Sequence, residues 1–264
     1  MIAVEPRPHP EIEAFLAHDP RTHVFPLYVC AARPEGRSLA AVQGDRIVGA
    51  VVAGRAFGLP HVASGWLFAE HAEAALALVR ALDERGRLDG LQLPWEGADA
   101  LLRGIPGVRA TLDVYLTRRP GPPPEVSPTG RLIQVDEGAV RALDMPPEIR
   151  AAVGDLRDLP AGAELWGLEQ RGRLVALADT LVRYGDVVTV QQVFTAPSAR
   201  RQGHSRSLLG QLLALPFARR DTLTWLASAE NQASIALASG LGFGEPVPLA
   251  CVARDGQHEL GTDP

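Results

Sequence analysis

Residues Val187–Ala214 read VVTVQQVFTAPSARRQGHSRSLLGQLLA, and this segment is the most informative part of the sequence. It begins as a strand rich in β-branched residues, which Pro197 must end because proline has no N–H to donate to a sheet. An arginine-rich turn that contains Gly203 follows, and aliphatic residues at helical spacing come next. A glycine turn that feeds a helix points several backbone N–H groups at one spot, where the helix dipole adds positive charge. The segment therefore predicts a cradle for phosphate, suited to a diphosphate.

Two common nucleotide-binding loops do not fit this turn. The chain contains no lysine, so its 26 basic residues are all arginine and the lysine of a GxxxxGK[ST] loop is missing. The GxGxxG fingerprint of dinucleotide-binding proteins is missing from the turn as well. The alternative interpretation is an ordinary strand-to-helix turn whose arginines point into solvent.

The turn resembles the acyl-CoA signature R-x-x-G-x-G/A of the GNAT superfamily of N-acyltransferases. Here the signature is RRQGHS at Arg200–Ser205, with serine in place of the last glycine or alanine. The resemblance implies that main-chain groups of Val193 and Thr195 hydrogen-bond the pantetheine arm, and that a bulge there opens the cleft. The residues that it assigns to acetyl-CoA binding are Val193, Phe194, Thr195, Arg200, Arg201, Gln202, Gly203, His204, Ser205 and Arg206.

A second motif lies downstream, at the expected distance from the first. Residues 228–243 read SAENQASIALASGLGF, which is similar to the family pattern N-x-x-S-x-x-L-Y-x-x-x-G-F. The match adds Asn231 and Ser234 to the acetyl-CoA-binding residues. Asn231 also suits a helix N-cap, and the two roles are compatible. Ala238 stands where the family frequently has a tyrosine that protonates the departing CoA thiolate, and a methyl group cannot donate a proton.

The general base is harder to identify. The carboxylate that the family often carries on the strand before the turn aligns near Gln191 and Gln192; an amide cannot be a base, although it could hold a proton-relaying water. Asp179 and Glu230 are the candidate catalytic residues, and Tyr184 is a further possibility. Asp179 and Tyr184 could instead pair with backbone, and Glu230 could lie in solvent. Without a base, catalysis would depend on holding the amine against a polarised thioester.

The middle of the chain predicts a domain boundary. Residues 120–130, PGPPPEVSPTG, contain five prolines that cannot continue a helix or a central strand and that favour an extended linker. A long surface loop within one domain is the alternative. The predicted domains are therefore residues 1–119 and residues 131–264, joined by the linker.

The two predicted domains have the same order of elements. Hairpins are predicted at Ser38–Gly54 and Ala163–Val182, with turns at Gly44-Asp45 and Arg171-Gly172. Each hairpin is followed by a strand and a helix, which is His71–Gly86 in the first half and Ser205–Arg220 in the second. Another strand, a short helix and a last strand complete each half.

We therefore expect a mixed α/β (α+β) fold with two tandem GNAT-like domains, each a mixed central sheet flanked by helices. The first half resembles the family only in its order of elements. Residues 64–78, which occupy the place of the phosphate turn, contain no arginine, and Glu70 and Glu73 would repel a diphosphate. The first half is accordingly expected to be a degenerate copy that does not bind CoA.

Composition limits the remaining possibilities. A net charge of -5 does not favour broad binding to nucleic acid, and no apolar run approaches the length of a membrane span. Cys30 and Cys251 form no CxxC pair and the histidines lack ligand spacing, so no metal site is expected. The first residues do not resemble a signal peptide, which predicts a cytoplasmic protein, either a monomer or a homodimer.

The expected function is that of an acetyl-CoA-dependent N-acetyltransferase. The acceptor would be an amine on a small molecule or a peptide, with direct transfer in a ternary complex. The alternative is a non-catalytic sensor or scaffold that binds acyl-CoA, because Ala238, Gln191 and Gln192 replace groups used in catalysis. A protein that binds a nucleotide through Gly203 is a third possibility.

Overall fold

The computed structural model describes residues 2–53, 65–85, 91–94, 107–153 and 162–254. The chain divides into two compact units. The first comprises Met1–Val114, Ser228–Glu230 and Val247–Pro264, and the second comprises Tyr115–Ala227 and Asn231–Pro246. The C-terminal strand therefore belongs to the first unit. The predicted boundaries at 1–119, 120–130 and 131–264 stay a prediction.

The first unit begins with a β-α-α-β pattern and continues through a hairpin. Its elements are β1 (Ile2–Pro8), α1 (His9–Leu16), α2 (Val24–Ala32), β2 (Arg37–Gln43), β3 (Arg46–Ala53), β4 (Gly65–Ala69), α3 (Ala72–Asp83) and β5 (Leu91–Pro94). Strand β6 (Val108–Arg118) begins in this unit, and its residues from Tyr115 onward belong to the second. The second unit contributes β7 (Arg131–Gln134), α4 (Glu137–Ala142), α5 (Pro147–Val153), β8 (Glu164–Gln170), β9 (Arg173–Tyr184), β10 (Val187–Thr195), α6 (His204–Leu213), α7 (Pro216–Arg220), β11 (Thr222–Ser228) and α8 (Gln232–Ser239). The last strand, β12 (Val247–Arg254), returns to the first unit.

The sheet of the first unit has the strand order β1-β2-β3-β4-β5-β12, and all of these neighbours are antiparallel except β4 and β5. Helix α3 packs on it because Leu78, Val79 and Leu82 recur on one helical face and are buried against strand residues such as Leu67 and Leu91. The predicted hairpin with its turn at Gly44-Asp45 is confirmed. The short helix predicted after β5 lies outside the described residues.

The second unit has the strand order β11-β10-β9-β8-β7. The hairpin predicted at Arg171-Gly172 is confirmed, and β10 pairs in parallel with β11 and antiparallel with β9. Helix α6 buries Leu208, Leu209, Leu212 and Leu213 and packs on β9 and β8.

The single helix predicted at Ser205–Arg220 is wrong. Helix α6 ends at Leu213 and α7 begins at Pro216, with Leu215 extended between them. Pro216 explains the break, because a proline has no N–H for the helix ladder and drives the residue before it out of the helical region. None of the helices in the described ranges is long and apolar enough to cross a membrane.

Candidate active site

Strands β10 and β11 part in the middle of the second unit. Their parallel pairing runs from Val187 opposite Thr222 to Val190 opposite Trp225. Beyond this point the register of β10 against β9 shifts, because Gln191 lies opposite Asp179 whereas Phe194 lies opposite Leu177. The extra residue is a β-bulge at Gln192, whose φ is 46°. The predicted bulge is thus confirmed, and beside it the pairing of β10 with β11 ends; we call the region between the two strand ends the cleft.

The main chain of β10 presents hydrogen-bonding groups to this cleft. The N–H of Ala196 donates to the carbonyl oxygen of Val175 in β9, at 3.0 Å. Backbone groups of successive strand residues point to alternate edges, so those of Val193 and Thr195 point away from β9, towards the cleft. The Nε of Arg200 donates to the Thr195 carbonyl oxygen at 3.3 Å. Val193 and Thr195 are therefore placed as the sequence predicts for main-chain binding, a role that stays a prediction.

The turn after β10 aims a helix N-terminus at the same region. Gly203 is the N-cap of α6 with a φ of 77°, a left-handed conformation that glycine adopts without strain. The first intrahelical bond on this side is donated by the Ser207 N–H to the Gly203 carbonyl oxygen. The N–H groups of His204, Ser205 and Arg206 lie in the first turn of the helix, where there is no preceding turn to supply a carbonyl acceptor. No side chain caps the helix either. An added Cβ at Gly203 would meet no heavy atom within 4 Å, so the space before the helix is open.

The side chains of the turn divide into two groups. Arg200, Arg201, Gln202 and Arg206 are exposed, and the three arginines bring positive charge to the sequence around the helix N-terminus. Ser205, which replaces the glycine or alanine of the motif, hydrogen-bonds the Thr195 hydroxyl and so joins the start of α6 to the end of β10. The motif does not indicate this bond.

The proline-rich segment 120–130 contacts α6 closely. The Thr129 N–H donates to the Ser207 hydroxyl at 2.8 Å, and the Thr129 hydroxyl lies 2.8 Å from Nδ1 of His204. Val126 lies so near Gly210 that a Cβ there would come within 2.6 Å of it. Burial lowers the pKa of His204, whose side chain is almost entirely buried. The segment thus fixes the N-terminal half of α6.

The second motif forms the start of α8. Asn231 is exposed and caps the helix, because its side-chain oxygen accepts from the Ser234 N–H at 3.0 Å. Ser234 in turn accepts from Nε1 of Trp225 at 3.1 Å. The capping interpretation of Asn231 is therefore confirmed, while acetyl-CoA binding by Asn231 and Ser234 stays a prediction. Ala238 is fully buried, so its methyl group faces other protein atoms.

The candidate catalytic residues lie in different surroundings. Asp179 is only 1% exposed and lies in β9 opposite Gln191. The Thr195 side chain faces α6, because its hydroxyl bonds Ser205, and Ala176 lies opposite Thr195 on the same face of the sheet. Asp179 is three residues further along β9, so the alternation of side chains places it on the other face. Glu230 is exposed, and its N–H donates to the Ser228 hydroxyl in the segment assigned to the first unit. The catalytic role of either residue stays a prediction.

Two other groups weighed from the sequence add little. Tyr184 is half-buried at the end of β9, away from the bulge. The Gln191 side chain lies outside what the structure describes. Among the described residues, no group of three or more His, Cys, Asp or Glu side chains is arranged to hold a metal ion.

The corresponding turn of the first unit is built differently. His71 caps α3 with its own ring nitrogen, which accepts from the Ala74 N–H at 3.3 Å. Glu70 precedes this cap and forms a two-bond ion pair with Arg46, with contacts of 3.1 and 2.6 Å. A capped helix start beside an acidic side chain does not suit a diphosphate.

Comparisons with known proteins agree with this architecture. A family model described as the acetyltransferase (GNAT) family matches residues 136–243. A tandem GNAT protein from the clavulanic acid biosynthesis pathway has a TM-score of 0.61 and 14% identity, with 97% of this chain and 99% of that chain covered. A GCN5-related N-acetyltransferase from Sphaerobacter thermophilus has a TM-score of 0.60 and 13% identity, with 95% and 94% covered. A Drosophila protein has a TM-score of 0.62 and 14% identity, with 97% of this chain and 99% of that chain covered.

A search of curated proteins found no match to the sequence. At identities this low, the structural likeness shows the fold alone. It confirms the predicted mixed α/β fold with two tandem GNAT-like halves.

Proposed function

Because residues 136–243 belong to the GNAT acetyltransferase family, we propose that the protein is an N-acetyltransferase that transfers an acetyl group from acetyl-CoA to an amine. The observation that carries this proposal is the cleft between β10 and β11, with the uncapped N-terminus of α6 beside it. The strand edge and the helix end supply two sets of unused backbone donors, as a long thioester with a diphosphate at its far end requires.

The N-terminus of α6 suits the diphosphate. The N–H groups of His204, Ser205 and Arg206 would each donate to a phosphate oxygen, and the helix dipole would favour the negative charge. Gly203 keeps the approach open, because it lacks the Cβ that would project into the free space. Arg200 and Arg201 would add charge from the exposed side of the turn.

The edge of β10 would hold the pantetheine arm. Main-chain groups of Val193 and Thr195 would pair with its amides in the manner of an added strand. The thioester would then lie near the bulge, where a strand N–H could polarise its carbonyl oxygen. This placement would also bring the thioester next to the strand position paired with Asp179.

The reaction would be a direct transfer in a ternary complex. The lone pair of the amine nitrogen attacks the thioester carbonyl carbon, an amide bond forms, and the C–S bond breaks. The CoA sulfur leaves with the bonding electrons and takes up a proton, while the amine nitrogen loses one. Orientation and carbonyl polarisation would supply most of the acceleration.

Asp179 is the stronger candidate for the proton acceptor. It is buried, it lies in β9 beside the bulged part of β10, and a carboxylate can accept a proton that an amide cannot. Exposed Glu230 has no comparable enclosure. Proton donation to the sulfur would come from water, because buried Ala238 offers no acidic group.

A second candidate function is a non-catalytic sensor of acyl-CoA. The specific observation in its favour is again Ala238, whose methyl group occupies the position at which the family frequently has its acid. Such a protein would use the same cleft and the same helix N-terminus. The acceptor amine would then have no role.

Turnover separates the two candidates. The purified chain would be incubated with acetyl-CoA and a panel of small amines and peptides, and the release of CoA thiol followed over time. Time-dependent, amine-dependent release supports the enzyme. Saturable binding of acetyl-CoA by calorimetry without release supports the sensor. Absence of acetyl-CoA binding, or equally tight binding of ATP, would refute both.

A further inference from the structure

A cavity of about 400 Å³ lies beside the turn that carries Gly203, in the second unit. Its volume is within the range of small-molecule pockets, roughly 300–1,000 Å³. It lies towards the β8–β9 hairpin, whereas the cleft proposed for acetyl-CoA lies on the β11 side of β10. Its lining residues include Asp144, Gln170, Arg171, Arg173, Gln202 and His204.

The charged side chains of this cavity have a positive balance. Arg171 and Arg173 come from the hairpin, and Asp144 is the acidic residue in the lining. The Nε of Arg173 lies 3.5 Å from the Asp144 carboxylate, with both side chains largely in solvent at 48% and 71% exposure. Two guanidinium groups against one carboxylate favour an anionic ligand.

His204 provides an independent observation that points to a ligand in this cavity. The residue is 3% exposed and lines the cavity, and its Nε2 is buried without a hydrogen-bond partner. The other ring nitrogen, Nδ1, is occupied by the hydroxyl of Thr129, which does not line the cavity. Since the two nitrogens lie on different edges of the imidazole, the unpartnered edge faces away from Thr129. Buried polar atoms are rarely left without a partner, so Nε2 needs one.

We propose that this cavity binds the oxyanion of a small phosphorylated or carboxylated molecule. Nε2 of His204 and the guanidinium groups of Arg171 and Arg173 are the donors. In this arrangement the Thr129 hydroxyl donates a hydrogen bond to Nδ1, so the ring proton lies on Nε2. Nε2–H then donates a hydrogen bond to the oxyanion. The site adjoins the one proposed for acetyl-CoA, because Gln202 and His204 belong to both. It uses the His204 ring rather than the His204 N–H, and it does not depend on acetyl transfer.

The test uses inorganic phosphate and sulfate as probes on the full chain, without acetyl-CoA. The melting temperature is measured against the concentration of each anion, because a ligand that binds the folded state raises it by mass action. Both anions also stabilise proteins non-specifically, so the comparison among variants carries the result. We expect the apparent affinity to fall at least about tenfold in Arg173→Gln, which removes the charged guanidinium, and in His204→Phe, which keeps a ring but has no donor.

Two further variants distinguish binding in this cavity from binding of the anion elsewhere on the surface. Arg219→Gln removes an equal charge from an exposed position of α7 and should leave the anion response unchanged. Arg200→Gln removes charge from the turn proposed for the diphosphate, so a change in this variant reports any anion that binds at that turn rather than in the cavity. An equal response in all variants would overturn the proposal, and so would a response that is lost in Arg200→Gln and kept in Arg173→Gln.

Discussion

Gly203→Glu places a carboxylate where the diphosphate of acetyl-CoA is proposed to bind. The backbone at this position has a φ of 77°, and an added Cβ would meet no heavy atom within 4 Å. The side chain therefore has room, and two effects follow. Every residue with a Cβ is strained in this conformation, by about 1–2 kcal/mol. Glutamate alone also brings a negative charge into the space before the helix.

The size of the charge effect can be worked from this geometry. A carboxylate at about 5 Å from a phosphate charge, at an effective dielectric constant of about 20, costs roughly 3 kcal/mol. That energy corresponds to a dissociation constant raised about 100-fold or more. Gly203→Ala introduces the strain without the charge. It should therefore lower the free energy of unfolding by about 1–2 kcal/mol, as Gly203→Glu does, but weaken acetyl-CoA binding far less.

Calorimetric titration with acetyl-CoA measures the dissociation constant, and denaturant unfolding measures the stability. Gly185→Glu is the matched control, because Gly185 has a φ of 56° and equally open surroundings but lies at the opposite end of β10. It should lose about 1–2 kcal/mol of stability and bind acetyl-CoA normally. If Gly203→Glu, although folded, bound acetyl-CoA within about threefold of the unaltered protein, the diphosphate would not lie at this helix.

Three further predictions concern other residues. Asp179→Asn should reduce kcat about 100-fold and leave the acetyl-CoA dissociation constant unchanged, and equal turnover would exclude Asp179 as the base. Thr129→Val keeps the side-chain shape but removes the partner of His204 Nδ1, so denaturant titration should show a loss of about 1–3 kcal/mol of stability. Burial lowers the pKa of His23 below its ordinary 6.5, so its unfolded form binds more protons and stability should fall as the pH drops through 6.5. The amide of His23→Asn can still donate to the Leu16 carbonyl oxygen. Between pH 7 and pH 5 the melting temperature of this variant should therefore change less than that of the unaltered protein. An equal change in both proteins would show that His23 is not the source of the pH dependence.

The features that sequence predicts well are those decided within a few residues. Pro197 ends β10 because it cannot donate to a sheet, and Gly203 begins α6 because a left-handed N-cap suits glycine. Asn231 is the N-cap of α8 for an equally local reason. These short-range preferences place the strand, the turn and the helices of the candidate site.

The features that sequence does not predict depend on residues far apart in the chain. Thr129 meets His204 across 75 positions, and no spacing or periodicity marks such a contact. The partner of β12 is equally undetermined, because an apolar strand pairs with whichever edge the whole fold offers. The break at Pro216 is different: its signal is local, and the aliphatic periodicity on both sides obscures it.

The return of the last strand has a practical consequence for anyone dividing this protein. Leu249–Val252 pair with Leu91–Pro94, although more than 150 residues separate them and the segment that matches the GNAT family model lies in between. Cleavage at the proline-rich segment would therefore not release two intact pieces. The N-terminal fragment would lose β12 and expose the unpaired edge of β5. The C-terminal fragment would contain β12 without β5, the strand that it pairs with.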